Sequence, residues 1–194
     1  GPGVTNIVTP VADAYYDSVP LIIFTGQVGQ KDMKGKIKIR QKGFQETDTM
    51  SLFESITKQC FQPKNPNEVY EILNKAFKIA SSGRPGPVLI DLPMNIQRDY
   101  FVKNKTKKNK TNKSKDKKYN KTISINTLKK IIGLIKNSSK PLILCGQGVI
   151  LSKSEKILRK FATKYKIPVT MSLLALGAFP TTNYLSLGFH GHTG

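Results

Sequence analysis

The chain has 194 residues, 38% of them apolar, and a formal net charge of +20 from 32 basic and 12 acidic side chains. That is enough apolar material for one ordinary domain or parts of two, and no run reaches the roughly 18–20 apolar residues of a membrane span. The two cysteines, Cys60 and Cys145, stand far apart with no CxxC and no histidine at ligand spacing, which argues for a reducing compartment and against structural zinc.

The opening "GPGVTNIVTP" has neither a basic n-region nor an apolar h-region, so it does not read as a signal peptide. With no initiator Met and with "GHTG" at the far end, the chain reads as an internal segment. "GPGVTN" is a glycine-rich loop entering a helix. Pro10 lies too deep for a helix capped by Thr5, so that helix either kinks there or begins at Thr9 with Pro10 in first position. "PLIIFTGQV" is a continuous apolar run ending near Gly26, the pattern of a strand covered on both faces. A lysine-rich loop and "GFQETD" follow. The next amphipathic segment ends at Lys58, where a helix C-terminus favours a cation.

"NPNEVYEILNKAFKIASSG" is the best helix in the chain. Asn65 caps it, Pro66 takes the first position and Glu68 completes a capping-box-like pattern. Val69, Ile72, Leu73, Ala76, Phe77 and Ala80 share a face, and Gly83 ends the helix. "PVLIDLP" is then a second buried strand. Between Lys103 and Lys121 there are ten lysines and one acid. No aromatic platform interleaves that run, where Tyr119 stands alone, and the chain has only four arginines, whereas groove readers lean on arginine. The tract therefore reads as a solvated linker rather than a nucleic-acid site.

Beyond it the alternation resumes. "INTLKKIIGLIKNS" is a helix, "PLILC" a strand and "GQG" a turn. Ser152 and Glu155 form a capping box for a helix carrying Ile157, Leu158, Phe161, Ala162 and Tyr165, and "IPVTMS" is the next strand. Helices and buried strands in alternation predict α/β domains built on parallel sheets, in three layers. The expected division is residues 1–98, a linker over 99–121, and a second domain from 122 to 194.

Parallel sheets bind ligands beyond the carboxyl ends of their strands. The residues to inspect are thus those after each strand: Gly26 and Gln27 with "GFQETD", then Gly146, Gln147 and Gly148, then Ser172 to Gly177. An exposed Phe44–Gln45 pair between Gly43 and Glu46 is expensive to display without a use, the alternative being that Phe44 plugs the loop onto the sheet. His190 and His192 have no carboxylate or cysteine beside them in the sequence, so they do not read as a metal pair. No Ser-His-Asp or Cys-His arrangement suggests itself.

"GPGVTNIVTPVADAYYDSVPLIIFTGQV", "GFQETD", "ITK", "SGRPGPVLIDLP", "KPLILCGQG", "IPVTMSLLALGAFP" and "LGFHG" occur in this order. Together they resemble the acetohydroxyacid synthase (acetolactate synthase) branch of the thiamine diphosphate-dependent enzymes. The resemblance implies that residues 1–98 are the later part of a pyrimidine-binding domain and that 122–194 open a Rossmann-like central FAD-binding domain. It implies a cytoplasmic carboligase that decarboxylates pyruvate and transfers the two-carbon unit to a second 2-keto acid, in branched-chain amino-acid synthesis. Its cofactors would be thiamine diphosphate, Mg²⁺ and FAD. The cofactor-activating glutamate and the Mg²⁺-diphosphate motif lie outside these residues, so this segment alone is expected to be inactive. By the same resemblance Gln45 lies near the thiamine cofactor, Phe44 faces the substrate and Lys58 stands at the pocket's entrance. Ser18 and Arg84 contact FAD, and Gly146, Gln147, Gly148, Ser172, Leu173, Leu174, Ala175, Gly188, His190 and Gly191 line the flavin site.

Homo-oligomers and a small regulatory subunit are also implied, with no nucleic acid and no membrane. Three features depart from the family pattern. Gly29 stands where the family has proline, the loop after it is about six residues longer and lysine-rich, and either His190 or His192 matches the family histidine. The loop and "GFHGHTG" look closer to carboligases of surface-polysaccharide synthesis, which act on a keto-sugar. A thiamine-dependent oxidase or decarboxylase would share the same architecture.

Overall fold

A computed structural model of the chain describes residues 1–101 and 123–191. It divides into two compact units, Gly1–Asn112 and Lys113–Gly194. The lysine tract from 103 to 121 and His192 lie outside the described residues.

In the first unit a 3-10 helix, Pro2–Ile7, runs straight into α1, Val8–Tyr16. Pro10 therefore neither kinks a helix nor starts one. It lies in the first α turn, where a missing N–H removes no established bond. Then come β1 (Leu21–Gln27), α2 (Thr49–Phe53), β2 (Gln59–Phe61), α3 (Pro66–Ser81), β3 (Pro87–Pro93) and α4 (Met94–Arg98). The strand order is β1-β3-β2, and both pairings are parallel.

The centre goes to the most apolar strand: β3 is buried along almost its whole length. On one face, Leu89 joins Val4, Val11, Ile23 and Phe53; on the other, Val88 and Ile90 join Ile72, Ala76 and Ala80 of α3. Helices thus cover both faces, the expected three layers. β1 departs from the sequence reading. Among the described residues β1 pairs with β3 alone, and its residues alternate between buried and accessible, with Phe24 55% exposed. The helical segment after Thr49 stops at Ile56, so Lys58 leads into the short strand β2 rather than ending a helix.

Helix α3 forms as its sequence predicts. The Asn65 side chain accepts from Glu68 N at 3.1 Å, Asn65 Nδ2 donates to Glu68 Oε1 at 2.8 Å, and Pro66 holds the first position. Burial of Ile72 is worth about 1.5–3 kcal/mol. Phe77, assigned to the same face, is 66% exposed. Gly83 adopts φ +59° just past the helix, as a terminator should.

The second unit contains α5 (Ile125–Asn137), β4 (Ile143–Cys145), α6 (Gly148–Leu151), α7 (Glu155–Tyr165), β5 (Val169–Met171) and β6 (Ser186–Phe189), with a parallel sheet in the order β4-β5-β6. Its core gathers Cys145, Ala162, Val169, Met171, Ala175, Ala178, Phe179 and Leu185. One expectation fails locally, and one strand was not foreseen. Ser152 closes α6, its hydroxyl donating to Gly148 O at 2.6 Å, so Ser154 rather than Ser152 precedes α7. The glycine-rich segment around Gly188 is strand β6, with φ +77° at Gly188 and a register shift opposite β5.

Candidate functional site

Strand β3 carries Asp91 in the middle of an apolar run, and the side chain is fully buried. A buried carboxylate needs donors on both oxygens, and three neighbours supply them. Thr25 Oγ1 donates to Oδ1 at 2.7 Å, while Gln62 Nε2 and Gln27 Nε2 donate to Oδ2 at 2.9 and 3.2 Å. Two of these donors come from β1 and one from the residue after β2, so the network knits the carboxyl ends of all three strands.

Gln27 also grips the loop that follows. Its Nε2 donates to Thr47 O at 2.5 Å, and its Oε1 accepts from Val28 N at 3.0 Å and Thr47 N at 3.5 Å. Glu46 staples the same loop, accepting from Lys34 N at 2.7 Å and Lys42 N at 2.8 Å. Burial pushes the Glu46 carboxyl up, but the N–H groups of Lys42, Lys34 and Gly43 and the charge of Lys34 outweigh it, and its pKa is held below 4.5. The loop limbs meet so closely that a Cβ on Gly43 would lie 2.8 Å from Asp32 O.

Between these clasps the pair singled out from sequence is presented. Phe44 is 87% exposed, so it does not plug the loop onto the sheet. Gln45 is held at φ +64°, a left-handed conformation that costs a non-glycine residue roughly 1–2 kcal/mol. Only a glycine fits opposite it, since a Cβ on Gly1 would lie 2.7 Å from Gln45 O. Together Gly1, Gly26, Gln27, Gly43, Phe44, Gln45 and Met94 border an open cleft of about 630 Å³. The rim thus combines an exposed ring, a thioether and the Gln45 amide with two charged side chains, Asp32 and Lys42. No three His, Cys, Asp or Glu side chains converge on a metal site among the described residues.

Ser18 and Arg84, 66 positions apart, meet directly. Arg84 Nε donates to Ser18 Oγ at 2.7 Å and Nη2 to Tyr16 O at 3.0 Å. The guanidinium therefore clamps the end of α1, not the helix ending at Gly83. Ser18 is buried and held at φ +58°. Lys58 is not at its own helix's end. Its ammonium donates to Ile79 O and, at 2.6 Å, to Ser82 O, capping α3, and burial lowers its pKa. It borders a separate hollow with Met50, Glu54 and Cys60 and does not join Gln45 at the larger cleft.

In the second unit the three strand ends converge as expected. Ser172 N donates to Cys145 O at 2.9 Å and His190 N to Met171 O at 2.7 Å. Gly146–Gly148, Ser172–Ala175 and His190–Gly191 thus share one sheet edge, with Gly188 just inside β6. Leu173 and Leu174 are exposed there, while Ala175 is buried in the core. Sequence reasoning placed Gln27 and Glu46 beside the site without giving either a role, and it missed Asp91 and Gln62. The one signal in view was a charged residue inside "PVLIDLP".

Comparison with known proteins finds two family matches. Residues 1–52 match the thiamine pyrophosphate enzyme N-terminal TPP binding domain, and residues 128–194 match the thiamine pyrophosphate enzyme central domain. The acetolactate synthase large subunit of Lactococcus lactis subsp. lactis is 38% identical over 195 residues, covering 100% of this chain and 32% of that protein. The probable acetolactate synthase large subunit of Methanocaldococcus jannaschii is 42% identical over 194 residues, again 100% and 32%. The chloroplastic acetolactate synthase 2 of Nicotiana tabacum is 38% identical over 194 residues, 98% of this chain and 28% of that protein. The chain thus spans about a third of the length of the curated relatives it matches.

Proposed function

We propose, from the premise that this chain belongs to the thiamine pyrophosphate enzyme family beside the acetolactate synthase large subunits, that it supplies one wall of a carboligase active site. The reaction is decarboxylation of pyruvate and transfer of its two-carbon unit to a second 2-keto acid. Residues 1–98 are the later part of the thiamine-binding domain, 99–121 a linker, and 122–194 the opening of the central domain. Thiamine diphosphate, when bound, supplies the electron sink that decarboxylation of a 2-keto acid requires.

The observation that carries this reading is the strained Gln45 beside an exposed Phe44, held over a cleft at the carboxyl ends of parallel strands. The Gln45 amide orients and hydrogen-bonds the heterocycle, and Phe44 forms an apolar surface that keeps water from the reacting carbonyl. Lys58, which borders a separate hollow, stands at the outer approach. Mg²⁺ and the diphosphate are held by residues outside this chain. In the first unit, taken by itself, Ser18 and Arg84 would be the flavin contacts; in the second unit, taken by itself, Gly146–Gly148, Ser172–Leu174, Gly188 and His190–Gly191 would line a flavin-binding sheet end, with Ala175 anchoring it from the core. The complete enzyme is a cytoplasmic homo-oligomer with room for a small regulatory subunit.

The test supplies the complete enzyme with pyruvate alone, pyruvate plus 2-oxobutyrate, and pyruvate plus a keto-sugar. Acetohydroxy acid products from the first two mixtures support the reading. Pyruvate consumed only with the keto-sugar, or with no carbon–carbon bond formed, would sink it.

A further inference from the structure

We propose that Asp91 and Gln27 are positioning residues for the Gln45 loop: the buried carboxylate sets which way the Gln27 amide faces, and that amide holds Thr47 and, through it, strained Gln45. The role assigned to Gln45 rests on the function proposed above; the coupling rests on geometry alone.

Both Asp91 oxygens act as acceptors, one toward Thr25 and the other toward the amides of Gln62 and Gln27. Gln27 must therefore turn its NH₂ group inward, where the same nitrogen reaches Thr47 O. Its carbonyl then faces the N–H groups of Val28 and Thr47. Reversing this amide would set its oxygen against two acceptors and its nitrogen against two donors. One orientation satisfies every partner, and it clasps Thr47 by both its backbone groups.

Two residues earlier the chain sits in a left-handed conformation at Gln45. Such strain persists only where the surroundings over-determine it. Glu46 fixes the loop from the solvent side; the Asp91–Gln27 pair fixes it from the sheet. Asp91 is buried and does not border the cleft, so its contribution passes through Gln27 and the loop that Gln27 holds.

The test makes Asp91→Asn, Gln27→Met and Gln62→Met in the complete enzyme, each with and without Gln45→Ala. Asp91→Asn removes the charge and leaves one acceptor oxygen for three donors, which weakens the hold on the Gln27 amide, and Gln27→Met removes that amide at similar volume. Both are expected to raise hydrogen exchange over residues 44–48 about tenfold or more, and to lower kcat by at least about tenfold with a smaller change in KM. Gln62→Met deletes a donor to the same carboxylate without touching the loop, and leaves loop exchange unchanged. In the Gln45→Ala background the first two substitutions lower turnover by less than about twofold further, because they act through the residue already removed.

Equal loop exchange in all three variants, or losses that multiply fully with Gln45→Ala, would overturn the proposal and leave the network a sheet clasp. If Asp91→Asn does not fold, Gln27→Met decides alone, since it keeps the carboxylate. Wild-type turnover in Gln45→Ala would instead sink the thiamine-site reading, and the exchange comparison would still decide what holds the loop.

Discussion

Arg84→Ala is the most informative single change, because the clamp seen in the structure and the flavin contact proposed for the same side chain predict different losses. Removing the guanidinium deletes two bonds, to Ser18 Oγ and to Tyr16 O. It leaves the buried Ser18 hydroxyl without that donor, a cost of about 1–3 kcal/mol, and takes a cation from the C-terminus of α1, worth about 0.3–1 kcal/mol. Arg84 itself is exposed, so water replaces part of what is lost, and we expect about 1–2 kcal/mol in denaturant unfolding of the apoenzyme. A charge-assisted contact to FAD would add a separate loss of about ten- to a hundredfold in flavin affinity, read by fluorescence titration. Arg84→Lys keeps the charge but cannot reach a hydroxyl and a carbonyl as a planar fork does, so it should restore only a minor share of both losses. An unchanged unfolding curve would refute the clamp. A destabilised apoenzyme with an unchanged flavin dissociation constant would refute the flavin contact.

Gln45→Ala and Phe44→Ala should each cut turnover of the complete enzyme by about tenfold or more while shifting stability by less than about 0.5 kcal/mol, since Phe44 buries almost nothing and alanine removes no core; parallel kinetics and melts check this. For Glu46 the sign is that of a depressed carboxylate: its contribution is present above pH 4.5 and is lost as pH falls through its lowered folded value. Protection of loop 34–46 against hydrogen exchange, taken relative to the intrinsic rate at each pH, should therefore fall in acid as the Glu46 carboxyl protonates, and should be low at every pH in Glu46→Gln. Lys58→Met removes the ammonium from the end of α3 and should destabilise the apoenzyme by about 1 kcal/mol; a retained melting curve would show that the carbonyls of Ile79 and Ser82 need no cap. Replacing residues 103–121 with a Gly/Ser segment of equal length should leave turnover within about twofold.

What was legible in the sequence was whatever depends on near neighbours. Asn65, Pro66 and Glu68 announced α3 because a cap is a contact across three residues. "PVLIDLP" announced a covered strand because a central strand is apolar on both sides. "PLIIFTGQV" reads the same way, yet among the described residues β1 pairs with β3 alone and leaves Phe24 exposed, a matter of which neighbours cover a strand that local composition does not encode. The short strands β2 and β6 span three and four residues, too few for a period to emerge. Phe44 and Gln45 stood out because glycine and acid bracket an expensive exposed pair. Asp91 looked like an interruption in an apolar run, for its donors lie 66, 64 and 29 positions away.

The strand order has a temporal side. The central strand is the last of the three to be made, and Thr25 precedes its register partner Asp91 by 66 residues. At translation rates of about 5–20 residues per second, β1 emerges roughly 3–13 seconds before the strand that pairs with it. Over that interval β1 and β2 are both made while β3, with which each of them pairs in this sheet, is not. Ribosome-bound chains stopped just short of β3 should therefore be cut by protease within "PLIIFTGQV" more readily than chains in which Pro93 has cleared the exit tunnel.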